Sequence, residues 1–243
     1  MNPMKVVKAD YERRIELPGV PAPVPRPVDI DQSQTGFNNL RTLRIYRFDS
    51  GSVIDGHAED DEVFIVVLSG SVELTMSLGS EQGSPSILSG PNDSDGSACA
   101  AYLPPHAAYR LVPHNQADVA YARATPVGSQ PPKVFPRSGT PHSKGVVTSL
   151  EETTYAEKLR FRLVKIDATR GQVIIPPMSE SETNGEAFVH VGNVEAGAAT
   201  MLPSPDSASV VLDSWDTVVL TPGERPMLRI RGGSVLVLIL FSA

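Results

Sequence analysis

Two histidines and two glutamates in the first half of the chain have the types and spacing of a metal site. His57, Glu59 and Glu62 lie close together in the sequence, and His106 follows a Pro-Pro turn further along. Imidazole nitrogens and carboxylate oxygens together suit one divalent ion such as Zn, Fe, Mn or Ni. If these side chains converge, the ion could polarise a carbonyl and Glu62 could act as the base that moves the neighbouring proton.

In a regular strand these side chains cannot all reach the same ion. Side chains alternate along a strand, so His57 and Glu59 share one face while Glu62 points away unless a bulge intervenes. In the competing interpretation, residues 58–62 form a solvated acidic turn at the rim of a barrel and His106 is a turn residue. The sequence leaves both interpretations open.

Three further residues near His106 could recognise a substrate. Tyr102, Tyr109 and Arg110 lie on the strands that border the same turn. Arginine can hold a carboxylate by two parallel hydrogen bonds, and tyrosine can orient hydroxyl groups, which together would suit a small sugar acid. The alternative is that the tyrosines pack in the core and that Arg110 is a surface charge.

The elements that must position these residues are strands. Helical periodicity is hard to find, whereas short β-branched and aromatic runs recur between Gly, Pro, Ser and Asp. The exception is residues 149–158, where Ser149 and Glu152 have the spacing of a capping box and predict a short linker helix. The expected fold is otherwise all-β.

The two halves of the chain repeat one order of segments. Residues 40–51 parallel 159–171 as a strand that ends at a glycine, and residues 62–73 parallel 186–195 as a hairpin. Such self-similarity indicates two copies of one structural unit. We therefore predict an extended Pro-rich arm with an edge strand over 1–34, a barrel over 35–126, a linker with a short helix over 127–158 and a degenerate barrel over 159–243.

This order of segments resembles that of cupins, which are small jelly-roll barrels. The spacing Gly51-x5-His57-x-Glu59-x2-Glu62 resembles the first cupin motif, and Tyr102-Leu-Pro-Pro-His106 resembles the second. The resemblance implies a bicupin of the RmlC-like superfamily: two tandem double-stranded β-helix barrels, with a divalent metal held in a barrel mouth by histidines and a glutamate.

A closer resemblance is to the amino-terminal half of 5-deoxy-glucuronate isomerases and the related pectin-degradation ketol isomerases. Residues 35–51, residues 60–70 and the turn at 102–105 carry it. In that family the catalytic metal is expected in the carboxy-terminal cupin. This chain departs from the family there, because residues 171–178 contain no histidine and Glu224 stands where His106 stands in the first half. No metal is therefore expected in the second barrel.

The sequence leaves three functions open. The first is a metal-assisted, isomerase-like enzyme that acts on a small sugar acid. The second is a non-catalytic bicupin that either binds a small carbohydrate-like ligand or is structural, and the third is a metal-dependent dioxygenase. The last needs the same ligands as the first, plus open positions for oxygen.

The composition of the chain limits the binding partners and the cellular locations that we expect. The formal net charge of -7 argues against a nucleic-acid partner, which would require clustered Lys and Arg. Cys99 is the single cysteine, so no intramolecular disulfide can form, and a reducing compartment fits best. The amino terminus shows no apolar segment typical of a secretory signal, and no apolar run is long enough for a membrane helix. We predict a cytoplasmic protein without a membrane partner, and a homodimer formed through exposed sheet edges.

Overall fold

The computed structural model describes most of the chain, and every structural statement below refers to the described residues. These are 4–92, 98–128, 130–136, 142–144, 147–153, 155–156, 159–169, 171–179, 182–195, 197–203 and 208–242.

Strands dominate, as the all-β prediction required. In chain order they are β1 (Lys5–Val7), β2 (Arg14–Ile15), β3 (Val24–Pro25), β4 (Val28–Asp31), β5 (Leu40–Phe48), β6 (Ile54–His57), β7 (Glu62–Ser69), β8 (Ser71–Leu78), β9 (Glu81–Gln82), β10 (Ser86–Ser89), β11 (Ala98–Leu103), β12 (Ala108–Pro113), β13 (Ala117–Ala124), β14 (Lys133–Pro136), β15 (His142–Lys144), β16 (Val147–Thr153), β17 (Leu159–Asp167), β18 (Gln172–Ile175), β19 (Ala187–Gly192), β20 (Ala199–Leu202), β21 (Val210–Leu212), β22 (Thr217–Leu220), β23 (Met227–Arg231) and β24 (Ser234–Ser242). One short helix in the described residues, α1 (Gln32–Thr35), is capped by Asp31 and ends at Gly36.

The chain divides into two compact units. The N-terminal unit comprises Asp10–Arg137 and Tyr155–Leu159, and the C-terminal unit comprises Met1–Ala9, Ser138–Thr154 and Arg160–Ala243.

The N-terminal unit is a curled sheet with the strand order β4-β5-β13-β7-β11-β10-β8-β12-β6. Strand β13 pairs with both β5 and β7, and β11 pairs with β7 on its other side. Because side chains alternate along each strand, one face of this curled sheet gathers a buried apolar cluster that includes Ile65, Val67, Leu103 and Val119. That inner face also contributes the walls of the candidate site.

A hairpin formed by residues 10–27, here called the arm hairpin, packs against this cluster. Strands β2 and β3 pair within it, and the amide of Asp10 donates to the carbonyl of Pro27 at 2.8 Å. Ile15, Leu17 and Val20 pack on the core. The Pro-rich stretch is therefore a folded part of the N-terminal unit.

The C-terminal unit contains a sheet of order β1-β22-β19-β24-β17-β16-β15 and a smaller sheet of order β18-β23-β20-β21. Its core includes Val189, Met201, Ile230 and Ile239. The first strand of the chain, β1, belongs to this unit because it pairs antiparallel with β22.

The linker helix predicted over 149–158 is wrong for the part of that segment that the structure describes. Residues 147–153 form strand β16, which pairs with β17, for example Thr148 opposite Lys165. The local capping signal at Ser149 competes with a ladder of backbone hydrogen bonds to a long neighbouring strand. Tertiary pairing overrides local helix propensity in such cases.

Within the described residues, no helix combines the length and the apolar character that crossing a membrane requires.

Candidate functional site

A cavity of about 280 Å³ opens into the inner side of the N-terminal unit. We call it the tyrosine cavity. Strands β5, β6, β12 and β13 supply most of its walls, and the arm hairpin supplies Leu17 and Pro18. The remaining lining residues are Thr42, Arg44, Tyr46, Phe48, Ile54, Asp55, Gly56, His57, Glu59, Tyr109, Tyr121 and Arg123.

Strand alternation explains why β5 contributes four of these side chains. Thr42, Arg44, Tyr46 and Phe48 are spaced two residues apart, so they share one face of the strand. On the neighbouring strand β13, Tyr121 lies opposite Arg44. The polar and aromatic residues of two adjacent strands therefore face the same space.

Aromatic rings form the apolar part of the cavity. Tyr46 stacks on Phe48 with ring centroids 5.5 Å apart, and Tyr121 meets Tyr46 edge to face at 5.4 Å. Tyr109 lies 5.8 Å from Tyr121. Burial raises the pKa of Tyr109 to about 12 and raises that of Tyr121 well above its usual value. Both phenols therefore stay protonated at neutral pH and can donate hydrogen bonds.

The position of Tyr109 depends on the glycine opposite it. Gly56 on β6 lies across from Tyr109 on β12. A Cβ atom at Gly56 would lie 2.4 Å from both Cζ and Oη of the tyrosine. Only a residue without a side chain leaves room for the ring at this point.

Thr42, a residue of the cavity lining, has a buried hydroxyl oxygen without a hydrogen-bond partner among the described residues. The hydroxyl of Tyr121 is buried as well, and it interacts with the hydroxyl of Tyr109. Buried polar atoms are nearly always paired, so each exception needs an explanation such as a bound ligand or water.

Arg123 organises the turn that follows β6. Its Nη2 donates to the carbonyl of His57 at 2.6 Å, and its Nη1 lies 3.3 Å from both the carbonyl of Ala58 and Oδ2 of Asp61. Burial raises the pKa of Asp61, an effect that the nearby Arg41 opposes. The guanidinium of Arg123 is thus engaged in holding the turn in place.

The structure does not assemble the four predicted metal ligands. Among the described residues, no group of three or more His, Cys, Asp or Glu side chains is arranged to hold a metal ion. His57 lies at the cavity rim, but Glu59 and His106 have left-handed backbones in two adjoining turns. Their side chains are 76% and 74% exposed.

Glu62 differs most from its predicted roles as base and ligand. Its carboxylate is buried and accepts a hydrogen bond from the amide of Leu159 at 2.8 Å and one from Tyr102 Oη at 3.4 Å. Val63, the next residue of β7, belongs to the inner core, so alternation directs Glu62 to the opposite face. The carboxylate therefore anchors residue 159.

Of the three predicted substrate-binding residues, the structure places one in the cavity. Tyr109 lines it, whereas Tyr102 packs against Phe64 and Tyr155 on the other face of its sheet. Arg110 points outward and forms an exposed two-pronged ion pair with Asp55, with N to O distances of 2.8 and 3.1 Å. Tyr102 thus packs in the core and Arg110 is a surface charge, as in the alternative interpretation of these residues.

In the C-terminal unit, the side chain of Glu224 forms a hydrogen bond within the turn that contains it. One carboxylate oxygen accepts from Oγ1 of Thr221 at 2.8 Å. The glutamate that stands in place of His106 thus stabilises a turn in the described structure.

Comparison with known proteins supports the predicted family. Residues 26–145 match the model of the KduI/IolB family. This confirms the resemblance seen in the sequence of the amino-terminal half. No curated protein sequence matches the chain.

Solved structures that resemble the chain are cupins at low sequence identity. An IolB-like protein from Salmonella typhimurium superposes with a TM-score of 0.68 at 13% identity, covering 94% of this chain and 93% of that chain. The protein Ylba from E. coli gives 0.69 at 10% identity, with 99% and 90% covered. A variant of Bacillus subtilis oxalate decarboxylase gives 0.67 at 10% identity, with 98% and 76% covered. At such identities the likeness shows the fold alone, which is the predicted cupin fold.

Proposed function

Because residues 26–145 match the KduI/IolB family, we propose that the N-terminal unit binds a small sugar acid in the tyrosine cavity. One observation carries the proposal: Thr42, whose buried hydroxyl has no hydrogen-bond partner among the described residues, lines the same cavity as the tyrosine rings. A polyhydroxylated ligand matches a lining that combines aromatic rings with hydroxyl-bearing side chains.

The energetic argument rests on desolvation. A buried polar atom without a partner costs roughly 1–3 kcal/mol, and a ligand hydroxyl that pairs with it recovers much of that cost. Tyr46, Tyr109 and Tyr121 add flat apolar surfaces against which the carbon skeleton of a sugar can pack. Protonated phenols supply donors toward ligand oxygens at neutral pH.

The geometry favours ligand binding that does not depend on a bound metal ion. The four residues predicted to hold an ion are divided between a cavity rim, two exposed turns and a buried anchor. We derive no metal-assisted step from them. Dioxygenase chemistry would need the same ligand set and is not proposed.

Calorimetric titration with D-glucuronate tests the proposal. We expect saturable binding to the intact chain, and a loss of affinity of about tenfold in Thr42→Val and in Tyr121→Phe, because each removes one hydrogen bond to the ligand. Thr200→Val on β20 is the matched control, since Oγ1 of Thr200 is also buried without a partner among the described residues but belongs to the C-terminal unit. The proposal fails if no hexuronate binds, or if both cavity variants bind as the wild type does.

A second candidate function is isomerisation of the bound sugar acid, which the KduI/IolB match favours. The cavity rim carries His57 and Glu59, whose side-chain types can move a proton. Incubation with a uronate in D₂O, followed by NMR, would detect deuterium at the carbon beside the carbonyl. We expect His57→Gln to abolish such exchange. Absence of exchange in the wild type would eliminate isomerisation and leave binding intact.

A cytoplasmic location and a homodimer stay predictions. Within the described residues, β4 and β6 end the large sheet of the N-terminal unit, so each offers an edge to which another strand can pair. Sedimentation of a single 26.0 kDa species would contradict the dimer.

A further inference from the structure

We infer that Arg44 binds the carboxylate of the ligand and thereby sets its orientation in the tyrosine cavity. This inference rests on the proposed function and deepens it. It assigns the acidic end of the ligand to the wall formed by β4 and β5, and the hydroxylated end to Thr42 and Tyr121.

The first support is a group of three guanidinium groups gathered beside that wall. Asp29 on β4 accepts from Nε of Arg44 at 3.1 Å, lies 2.7 Å from Nη2 of Arg26, and lies 3.5 Å from Nη1 of Arg13. Three guanidinium groups thus share the carboxylate of Asp29, while Arg13 also lies 3.7 Å from Asp10 and the charge of Arg44 also acts on Asp31. Guanidinium groups gathered at one wall of a cavity can attract an anionic ligand.

The second support is the way in which Asp29 leaves Arg44 available. Residues 29 and 44 lie directly opposite each other in the β4–β5 ladder. The ion pair occupies Nε, and neither Nη1 nor Nη2 of Arg44 donates a hydrogen bond to a described residue. The side chain is 37% exposed and lines the cavity. A guanidinium held at Nε, with both terminal nitrogens available, matches a carboxylate that accepts two parallel hydrogen bonds.

The third support is the contrast with the other charged residues of the lining. Asp55 and Glu59 are acidic, so an anion placed beside them would meet like charges. Arg123 is close by, but its terminal nitrogens already serve the turn after β6 and Asp61. Arg44 is therefore the cationic group of the lining that is placed to receive a carboxylate.

The test compares an acid with its neutral counterpart. Affinities of the intact protein for D-glucuronate and for D-glucose are measured by calorimetry in the wild type and in three variants. We expect the wild type to prefer the acid by about tenfold to a hundredfold, the range for a charge-assisted pair. Arg44→Gln should abolish this preference while the affinity for glucose stays within about twofold, since the neutral contacts are untouched.

Two further variants separate the orientation of Arg44 from its charge alone. Arg44→Lys keeps the charge but loses the fork, so we expect it to retain only part of the preference. Arg47→Gln is the matched control: Arg47 lies on the same strand, is 38% exposed and pairs with Asp118, but it does not line the cavity. It should preserve the wild-type preference.

The outcomes distinguish this inference from the proposed function. Equal affinity for glucuronate and glucose in the wild type would overturn the role of Arg44 and leave the cavity as a sugar site. Binding of neither would overturn the proposed function itself. Tighter binding of glucose 6-phosphate than of glucuronate, lost in Arg44→Gln, would show that the site reads a phosphate, and would overturn the carboxylate assignment.

Discussion

Glu62 has the residue type of a base or a metal ligand, but the structure gives it a different role. Its spacing from His57 suggests chemistry, but the strand directs its carboxylate to the amide of Leu159 at 2.8 Å. We expect Glu62→Ala to lower the free energy of unfolding by roughly 1–3 kcal/mol, because a buried amide loses its acceptor. Urea denaturation measures this change.

Ligand binding supplies the check on that interpretation. Glu62→Ala should leave the affinity for glucuronate unchanged, since the carboxylate lies on the face of β7 opposite the inner core. Glu62→Gln, which retains an acceptor oxygen, should cost less stability than the alanine variant. A folded Glu62→Ala protein that no longer binds the sugar would restore the functional role.

Gly56 controls the tyrosine cavity through a steric contact. A methyl group at this position would lie 2.4 Å from Cζ of Tyr109, so Gly56→Ala must displace the ring. We expect weaker ligand binding, by about tenfold, because the ring would leave its place in the lining. Calorimetry measures the affinity and near-UV circular dichroism follows the tyrosine environment.

A double-mutant cycle isolates this contact. In a Tyr109→Ala background the ring is absent, so adding Gly56→Ala should change the affinity and the stability much less than it does in the wild type. An equal effect of Gly56→Ala in both backgrounds would contradict the steric explanation.

At the scale of elements, the structure shows which patterns a sequence reveals. Short β-branched runs correctly predict strands such as β7 and β24 because propensity and burial agree there. The segment at 149–158 fails because a capping signal is local, whereas pairing with β17 is decided by residues distant in the sequence.

The candidate site shows the same division. Tyr109 could be singled out because it lies near the expected barrel mouth, and it lines the cavity. Thr42, Arg44 and Tyr46 line the cavity too but were missed, although they alternate along a single strand. Polar residues at alternate positions of a core strand violate the expected apolar face, and that violation was the available signal. Which strand lies opposite β5 cannot be read from spacing, so Tyr121 becomes visible only with the fold.

Strand β1 provides a prediction at this scale. It pairs with β22, Val6 packs against the core of the C-terminal unit, and Lys8 binds the buried Asp216 at 2.7 Å. We expect Val6→Asp to lower the free energy of unfolding by roughly 1–3 kcal/mol, since it places a charge against apolar side chains. Chemical denaturation with circular dichroism detects the change.

The matched control introduces the same charge at an exposed position five residues further along the chain. Tyr11 is 52% exposed, so Tyr11→Asp should change the stability much less. Sugar affinity should remain at the wild-type value in Val6→Asp, because β1 belongs to the C-terminal unit. Loss of sugar binding in a folded Val6→Asp protein would contradict this separation of roles.

At the scale of the whole molecule, one buried histidine predicts how stability depends on pH. His190 lies in the C-terminal unit, with Nδ1 3.1 Å from Oγ1 of Thr217, and burial lowers its pKa to about 3. In the unfolded chain the imidazole regains its ordinary pKa of 6.5. As the pH falls from 6.5 toward 3, the unfolded state binds a proton that the folded state rejects. The folded state therefore loses about 1.4 kcal/mol per pH unit across this window.

Denaturation of the wild type and of His190→Gln at pH 7.5 and pH 5 measures this contribution. The loss of stability between the two pH values should be smaller in the variant by roughly 2 kcal/mol. His190→Leu serves as a second variant if glutamine is poorly accommodated, and His114→Gln, at an exposed position, is the control. The same pH dependence in the wild type and both His190 variants would contradict the assignment.

The effect of metal removal also concerns the whole chain, because the sequence predicts two copies of one unit and a metal site in the first of them. In the N-terminal unit the predicted ligands are separated, and in the C-terminal unit the carboxylate of Glu224 serves its own turn. We therefore expect chelation with EDTA to leave the thermal midpoint and the affinity for glucuronate unchanged. Scanning calorimetry and titration before and after dialysis measure both quantities, with elemental analysis to verify removal. A drop in either quantity that Zn, Mn, Fe or Ni restores would contradict the expectation. If His57→Ala then also failed to retain the metal, this result would support the ligand set predicted from the sequence.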